Sequence, residues 1–518
     1  MKKIILSLTL WSVFVSALTA QQTFIRAYGN YPFNPPSSFL IPNDFEELPT
    51  GEILIFAFPG YFIKTDTLGK PLWVKKVFRQ GASPNDSYPR EVAFNGINEY
   101  FLTGQTSADT SFVAKTDSAG NLLWVKSFSE EDIYPHCLTT TSDGGVVVAF
   151  DFQKPNLNYD PLVIKLSNNG TVEWQKKYEN ILGGSSAMKF YEVAAADNGD
   201  LFFCGINNTG SSFYGPLVVK TNSAGEVLWS KLVGTAVQGN AARKIAILDN
   251  GNIRLMINRP ETATLFGYLD LDPQGNALSG NAYTTSFSIS DCVFNIHPSG
   301  EMLITTGNSD QGMGLTANGN VKFAYSYLQI IAPAFYNQIE PLFNADGSCT
   351  FLGAYSYTFF GDWTGILLKT TANGETSAGY FSPITVNKVP FPGASSSVTT
   401  TVTETSVNQE IALNLVIDNV TEFYDSLFTT FTAIDPEKKL NFSVYPNPAN
   451  EKTIVTSEIF AKENTEISLF DLSGKIVFND TFFSTEYMLS LSTLPSGTYL
   501  LRVVSGEKTG IQKLVIRH

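Results

Sequence analysis

The chain has 518 residues, enough for more than one domain. It is 43% hydrophobic and only 16% charged, with aromatic residues at 13%, a balance that suits strands buried on both faces. The net charge of −14 argues against nucleic acid or anionic lipid as the main partner, and the presence of only three histidines (His136, His297 and His518) disfavours His-based metal sites and Ser-His or Cys-His catalysis while leaving carboxylate chemistry open.

Residues Met1–Ala20 have the form of a signal peptide: Lys2 and Lys3 precede an apolar stretch, Ile4–Leu18, and Ala20 is the best cleavage point, with Ala17 as a second choice. No Cys follows it, which disfavours lipoprotein processing, and no other stretch is long and apolar enough to span a bilayer. The mature chain is therefore expected to be exported and to lack a transmembrane segment.

A repeat follows. Ile63–Val74, Val113–Val125, Val163–Gln175 and Val218–Ser230 each contain an apolar strand ending in Lys, a polar turn, a Gly, and a Trp four residues after that Gly. Weaker copies begin at Tyr268, Gly314 and Leu368. The seven turn glycines (Gly69, Gly120, Gly170, Gly225, Gly275, Gly319 and Gly374) are 44 to 55 residues apart. A second polar turn followed by an apolar run recurs out of phase with the first, at Gly51, Asn98, Gly144, Gly199, Gly251, Gly300 and Gly347. Each unit reads as four strands joined by turns in which Asp, Asn or Ser caps its own backbone and Gly supplies positive φ. Four-stranded units of this length predict an all-β, seven-bladed β-propeller over residues 21–382.

The repeated tryptophans Trp73, Trp124, Trp174 and Trp229 are expected to pack between blades. Each would bury about 150–250 Å², an upper estimate of roughly 4–6 kcal/mol. The last unit has Ala378 in the Trp position, whereas the segment Thr23–Gly29 resembles the Trp-bearing strands, with Phe24 in the Trp place. The N-terminal strand is therefore predicted to complete the last blade and close the ring. Cys137, Cys204, Cys292 and Cys349 form no CxxC pair and lie in strand-like runs. They read as packed free thiols, with a disulfide left open by the exported setting.

The turn pattern is similar to the docking motif of quinoprotein dehydrogenases and to the Asp-box of sialidases. The Asp66-to-Gly69 spacing is one residue short for the first, both spacings are one too long for the second, and no active-site residue carries over. The oxygen-rich turns near Asp272 and Asp200 lack calcium-loop spacing and read as ordinary turns. No nucleotide, metal or nucleophile-elbow fingerprint is present, so no cofactor, metal ligand or catalytic residue is assigned.

Residues 383–439 are rich in Ser, Thr and Val and read as a β connecting segment, either a linker or an edge strand, part of which packs back on the propeller. Residues 440–518 read as a small Ig-like antiparallel sandwich of about seven strands. They contain Tyr445-Pro446-Asn447-Pro448, a turn with Asp471, Gly474 and Lys475, then Leu494, Pro495, Gly497 and Tyr499, and finally Lys513 in the closing strand. This order of motifs resembles the type A C-terminal sorting domain of the type IX secretion system of Bacteroidetes-type bacteria. The resemblance implies recognition by the outer-membrane secretion machinery and delivery to the cell surface or beyond.

The expected function is that of a secreted or cell-surface propeller binding an unidentified polysaccharide or protein. The alternatives are a secreted hydrolase or lyase with its site in the central channel, and a structural surface component. A binder should show exposed aromatics or variable loops at one mouth of the channel; an enzyme should show clustered carboxylates or a Tyr/Arg pair inside it.

Overall fold

The structure is a computed structural model that describes residues 24–28 and most of 40–518; residues 1–23, 29–39, 328–340, 405–414, 429–439 and shorter stretches between strands lie outside the described residues. The expected signal peptide falls in the first of these. All described regular structure is β. Among the described residues, those between 24 and 428 form seven antiparallel sheets. The first comprises Ile41–Glu47, Ile53–Phe58, Tyr61–Thr65 and Pro71–Arg79 in sequence order, and the same meander recurs over 87–128, 133–180, 187–233, 241–285 and 292–326. The first strand of each sheet touches the first strand of the next, and the last sheet returns to Ile41–Glu47 through Cys349–Ser356. This ring of sheets is a β-propeller with the first strands innermost.

The turn residues act as their chemistry dictates. Asp66, Asp117, Asn222 and Asp272 each accept two backbone N–H groups of their own turn through Oδ1. Asn98 takes the place of the recurring Gly at φ 64°, a conformation that Asn tolerates better than most residues.

The tryptophans do lie at the junctions between sheets, but they are half-buried, so full burial overstates their contribution. Each ring lies against the turn of the next sheet. Trp124, Trp174 and Trp229 donate Nε1–H to the carbonyls of Asn168, Ser223 and Pro273 at 3.0, 3.0 and 3.2 Å. The turn glycine then faces the ring: a Cβ on Gly225, which has φ +77°, would stand 3.1 Å from Trp174. Four residues after the aromatic position, Tyr178, Tyr283 and Tyr327 donate their hydroxyls to the turn-glycine carbonyls of Gly225, Gly319 and Gly374. Trp174→Ala is expected to cost about 2–4 kcal/mol, measured as a lower denaturant midpoint. Gly225→Ala should destabilise by about 1–2 kcal/mol through backbone strain and contact with the ring.

The N-terminal strand Phe24–Tyr28 pairs with Trp363–Thr370 and completes the last sheet. Its register sets Phe24 opposite Lys369, just as Trp174 stands opposite Lys165 and Trp229 opposite Lys220. Tyr28, fully buried, donates to the carbonyl of Gly69 in the first sheet at 2.5 Å, so the ring closes with the same bond that Tyr178, Tyr283 and Tyr327 make at their junctions.

The Ser/Thr-rich segment forms an outer belt. Ser382–Pro383 adds a fifth strand to the sixth sheet, Val386–Pro390 to the fifth, Ser395–Ser397 to the fourth, Thr400–Glu404 to the third, Leu415–Asn419 to the first and Asp425–Phe428 to the seventh. The chain thus runs back around the propeller in the reverse order of the sheets. Each belt strand covers an outer edge whose N–H and C=O groups would otherwise lack strand partners. Small β-branched and hydroxyl residues suit this pairing role, in which backbone bonds matter more than side-chain packing.

The tail is a two-sheet sandwich. One sheet orders Ser443–Tyr445, Lys452–Thr456 and Glu486–Ser490; the other orders Ile476–Phe482, Thr465–Phe470, Gly497–Ser505 and Lys508–Ile516. Its core, with Val455, Ile467, Leu489, Leu501 and Leu514 among others, is built from its own residues.

Candidate functional site

Each of the first five inner strands carries a β-bulge at the same place, between Pro42 and Asp44, Pro89 and Glu91, Pro135 and Cys137, Phe190 and Glu192, and Ala242 and Lys244. A bulge inserts an unpaired residue and redirects its side chain. The extra residues are Asn43, Arg90, His136, Tyr191 and Arg243, five positions that are equivalent in structure and carry four different residue types. All five line one cavity of about 360 Å³ in the channel, together with Asn258 and Cys292. The bulges lie near the start of each inner strand, at the end opposite the tight repeated turns, so this is the mouth on the side of the non-repeating connections.

Beneath the bulged residues lies a layer of engaged charges. Asp44 accepts the N–H of Val92 at 2.7 Å, Glu91 that of Leu138 at 2.6 Å, and Glu192 pairs with Lys244 at 2.6 Å. Asp44, Glu91, Glu192 and Lys244 also border a second chamber of about 240 Å³ further along the channel. The carboxylates therefore tie neighbouring sheets together at the waist of the channel, while the cations Arg90 and Arg243 stand at the mouth.

Tyr191 organises the mouth. The Arg243 guanidinium sits 4.2 Å from its ring centre, a cation–π arrangement, and the His136 ring centre is 5.0 Å away. The His136 pKa is lowered to about 4, chiefly by burial; Asp151 pulls it up, and the charges of Arg90, Lys189 and Arg243 pull it down. His136 is therefore neutral at neutral pH. Because its folded pKa lies below the ordinary value of 6.5, the unfolded chain binds the proton more tightly. The associated stability is fully present above pH 6.5 and is lost as pH falls toward 4, by roughly 2–3 kcal/mol. In His136→Asn this part of the acid sensitivity should disappear from a series of unfolding curves between pH 4 and 7.

Both features expected of an enzyme, clustered carboxylates and a Tyr/Arg pair, occur in the channel, but each carboxylate named above has a structural partner. The expected thiols are present: Cys137, Cys204, Cys292 and Cys349 are free and buried. Burial raises the thiols of Cys137 and Cys204 well above the usual range, which makes them packing groups rather than nucleophiles. Among the described residues no cluster of His, Cys, Asp and Glu is placed to hold a metal ion, and no helix is long and apolar enough to cross a membrane. Asp272 spends its carboxylate on its own turn, and Asp200 pairs with Lys220.

The sorting-domain residues gather around the final strand. Tyr445, Pro446, Asn447 and Pro448 are exposed. Asn447 donates to the carbonyl of Lys513 at 2.5 Å and accepts the N–H of Val515 at 3.0 Å. Tyr499 is buried and closes the Leu494–Gly497 bend by donating to the carbonyl of Pro495. His518 contacts the carbonyl of Leu494 and the side chain of Asn450. Asp471, Gly474 and Lys475 lie outside the described residues.

Residues 443–517 match the family described as the secretion system C-terminal sorting domain. The tail is a type IX sorting domain. It implies interaction with the secretion machinery and directs the chain to the cell surface or the extracellular space. No curated protein matches the chain by sequence. Similar solved structures include a catalytically inactive virginiamycin B lyase from Staphylococcus aureus with quinupristin (12% identity, TM-score 0.42, covering 67% of this chain and 99% of that one). Another is an alpha-L-arabinofuranosidase from Fusarium graminearum in complex with an iminosugar inhibitor (11%, 0.38, 66% and 97%). A third is a protein of unknown function from Dyadobacter fermentans (8%, 0.37, 67% and 98%).

Proposed function

We propose that the exported propeller is a binding module that receives the end of a polysaccharide chain at the channel mouth. One observation carries this reading: five bulges, built alike, present four kinds of polar or aromatic side chain (Asn, Arg twice, His and Tyr) to one cavity. A scaffold that repeats everything except the residues facing a cavity has placed its specificity there. The volume suits one or two sugar rings and excludes a folded protein. The waist carboxylates hold the sheets together, which fits recognition better than acid–base chemistry. An array of immobilised glycans and proteins probed with the full chain tests the reading. Glycan signals that Tyr191→Ala removes support it; signals confined to proteins would refute it.

A lyase or hydrolase is a second reading, favoured by neutral His136 beside Tyr191 and Arg243. It requires shortened chains to accumulate on incubation with a bound glycan, and their absence would exclude it.

A further inference from the structure

The outer face of the three-stranded sheet in the sorting domain carries an apolar row that the fold does not use. Antiparallel register sets Tyr445 opposite Ile454 and Ile454 opposite Met488, so the three side chains stand side by side on one face. They are 77%, 38% and 60% exposed, whereas Val455 and Leu489, next to two of them in the chain, point the other way into the core. Ser443, Thr456 and Glu486 flank the row on one side and Lys452 and Ser490 on the other, all exposed. Among the described residues no large hydrophobic side chain of the four-stranded sheet is exposed in this way.

The Tyr-Pro-Asn-Pro segment is held by its other members. Asn447 bonds to the final strand, and Thr453 donates its hydroxyl to the carbonyl of Pro446 at 2.8 Å. The Tyr445 ring belongs to no core, and its hydroxyl has no partner among the described residues. An aromatic side chain that serves neither packing nor hydrogen bonding, with two aliphatic neighbours beside it, is placed for an outside contact. The row exposes roughly 300–400 Å², well short of the ~800 Å² per partner that a stable complex buries. That size suits a carrier that grips the chain and releases it, not a permanent second copy. Glu486 and Lys452 beside the row are of opposite sign, so no net field favours a charged surface. We propose that this row is the face by which the sorting domain is gripped, its partner being a component of the secretion machinery that offers an apolar pocket to the Tyr445 ring and aliphatic surface to Ile454 and Met488.

Delivery of the full chain by a secreting cell tests the proposal. Tyr445→Lys, and a triple variant with Tyr445→Ser, Ile454→Thr and Met488→Gln, should each lower the surface and extracellular fraction at least about tenfold and hold the chain inside the outer membrane. Tyr445→Phe should be delivered like the wild type, because the hydroxyl is unused, and so should Ser443→Ala with Ser490→Ala on the same face. The retained chains should melt at the wild-type temperature, since the row faces outward. Normal delivery of folded Tyr445→Lys or of the folded triple variant would overturn the proposal, as would equal loss in the serine control. If both variants melt lower, the row belongs to the fold and the proposal falls. Wild-type dimers in sedimentation that the triple variant splits into monomers would assign the row to a second copy and overturn it too.

Discussion

Deleting Phe24–Tyr28 is expected to abolish soluble, cooperative folding of the propeller. The strand fills the fourth position of the last sheet, and its loss would unpair Trp363–Thr370 on one side and the belt strand Asp425–Phe428 on the other. It also removes Tyr28, which packs with Ile55, Phe323, Phe351 and Leu367 in a core shared by the last two sheets and the first. The turn-glycine bond from Tyr28 to Gly69 closes the circle. Tyr28→Phe keeps the ring and loses only that bond, so it should cost about 1–2 kcal/mol and leave a folded protein. A deletion mutant that melts cooperatively near the wild-type temperature would rule out this closure.

Removing residues 440–518 should eliminate the protein from the cell surface and the medium while leaving the propeller folded. The sandwich core consists of residues from Leu440 onward, so its loss takes no side chain from the propeller core. Immunoblots of medium, surface and cell-envelope fractions would show retention inside the outer membrane. Normal delivery of the truncated chain would contradict the sorting assignment. Replacing Asn447 with Ala is a milder probe, since it loses the two bonds to the final strand and leaves the hydrophobic core in place.

Repetition made the scaffold legible in the sequence. A turn Gly followed by Trp at a fixed interval announces both a hairpin and a packing site, because one residue type answers each physical need. Closure by Phe24 was legible for the same reason: the last unit lacks its aromatic strand and the N-terminus has a spare one. The belt was only half legible. Alternating Ser and Thr indicates extended chain, but backbone pairing carries little side-chain signature, so partners and direction could not be read. The mouth was missed because its residues are of four types and form no repeated motif. What they do share is position: Asn43, Arg90, His136, Tyr191 and Arg243 each stand eight residues before the inner turn residue (Gly51, Asn98, Gly144, Gly199 and Gly251). Aligning the units on that turn, rather than on the tryptophans, brings these positions into one column. Pro42, Pro89 and Pro135, immediately before the first three, supply the accompanying signal, since Pro in an inner strand is placed most readily at a bulge.

The most direct test of recognition at the bulged positions compares the glycan-array profile of the wild-type chain with that of a variant carrying Asn43→Ala, Arg90→Ala, Tyr191→Ala and Arg243→Ala together. The mouth site predicts that every glycan signal disappears while cooperative unfolding is retained. An unchanged profile in a folded variant would contradict it.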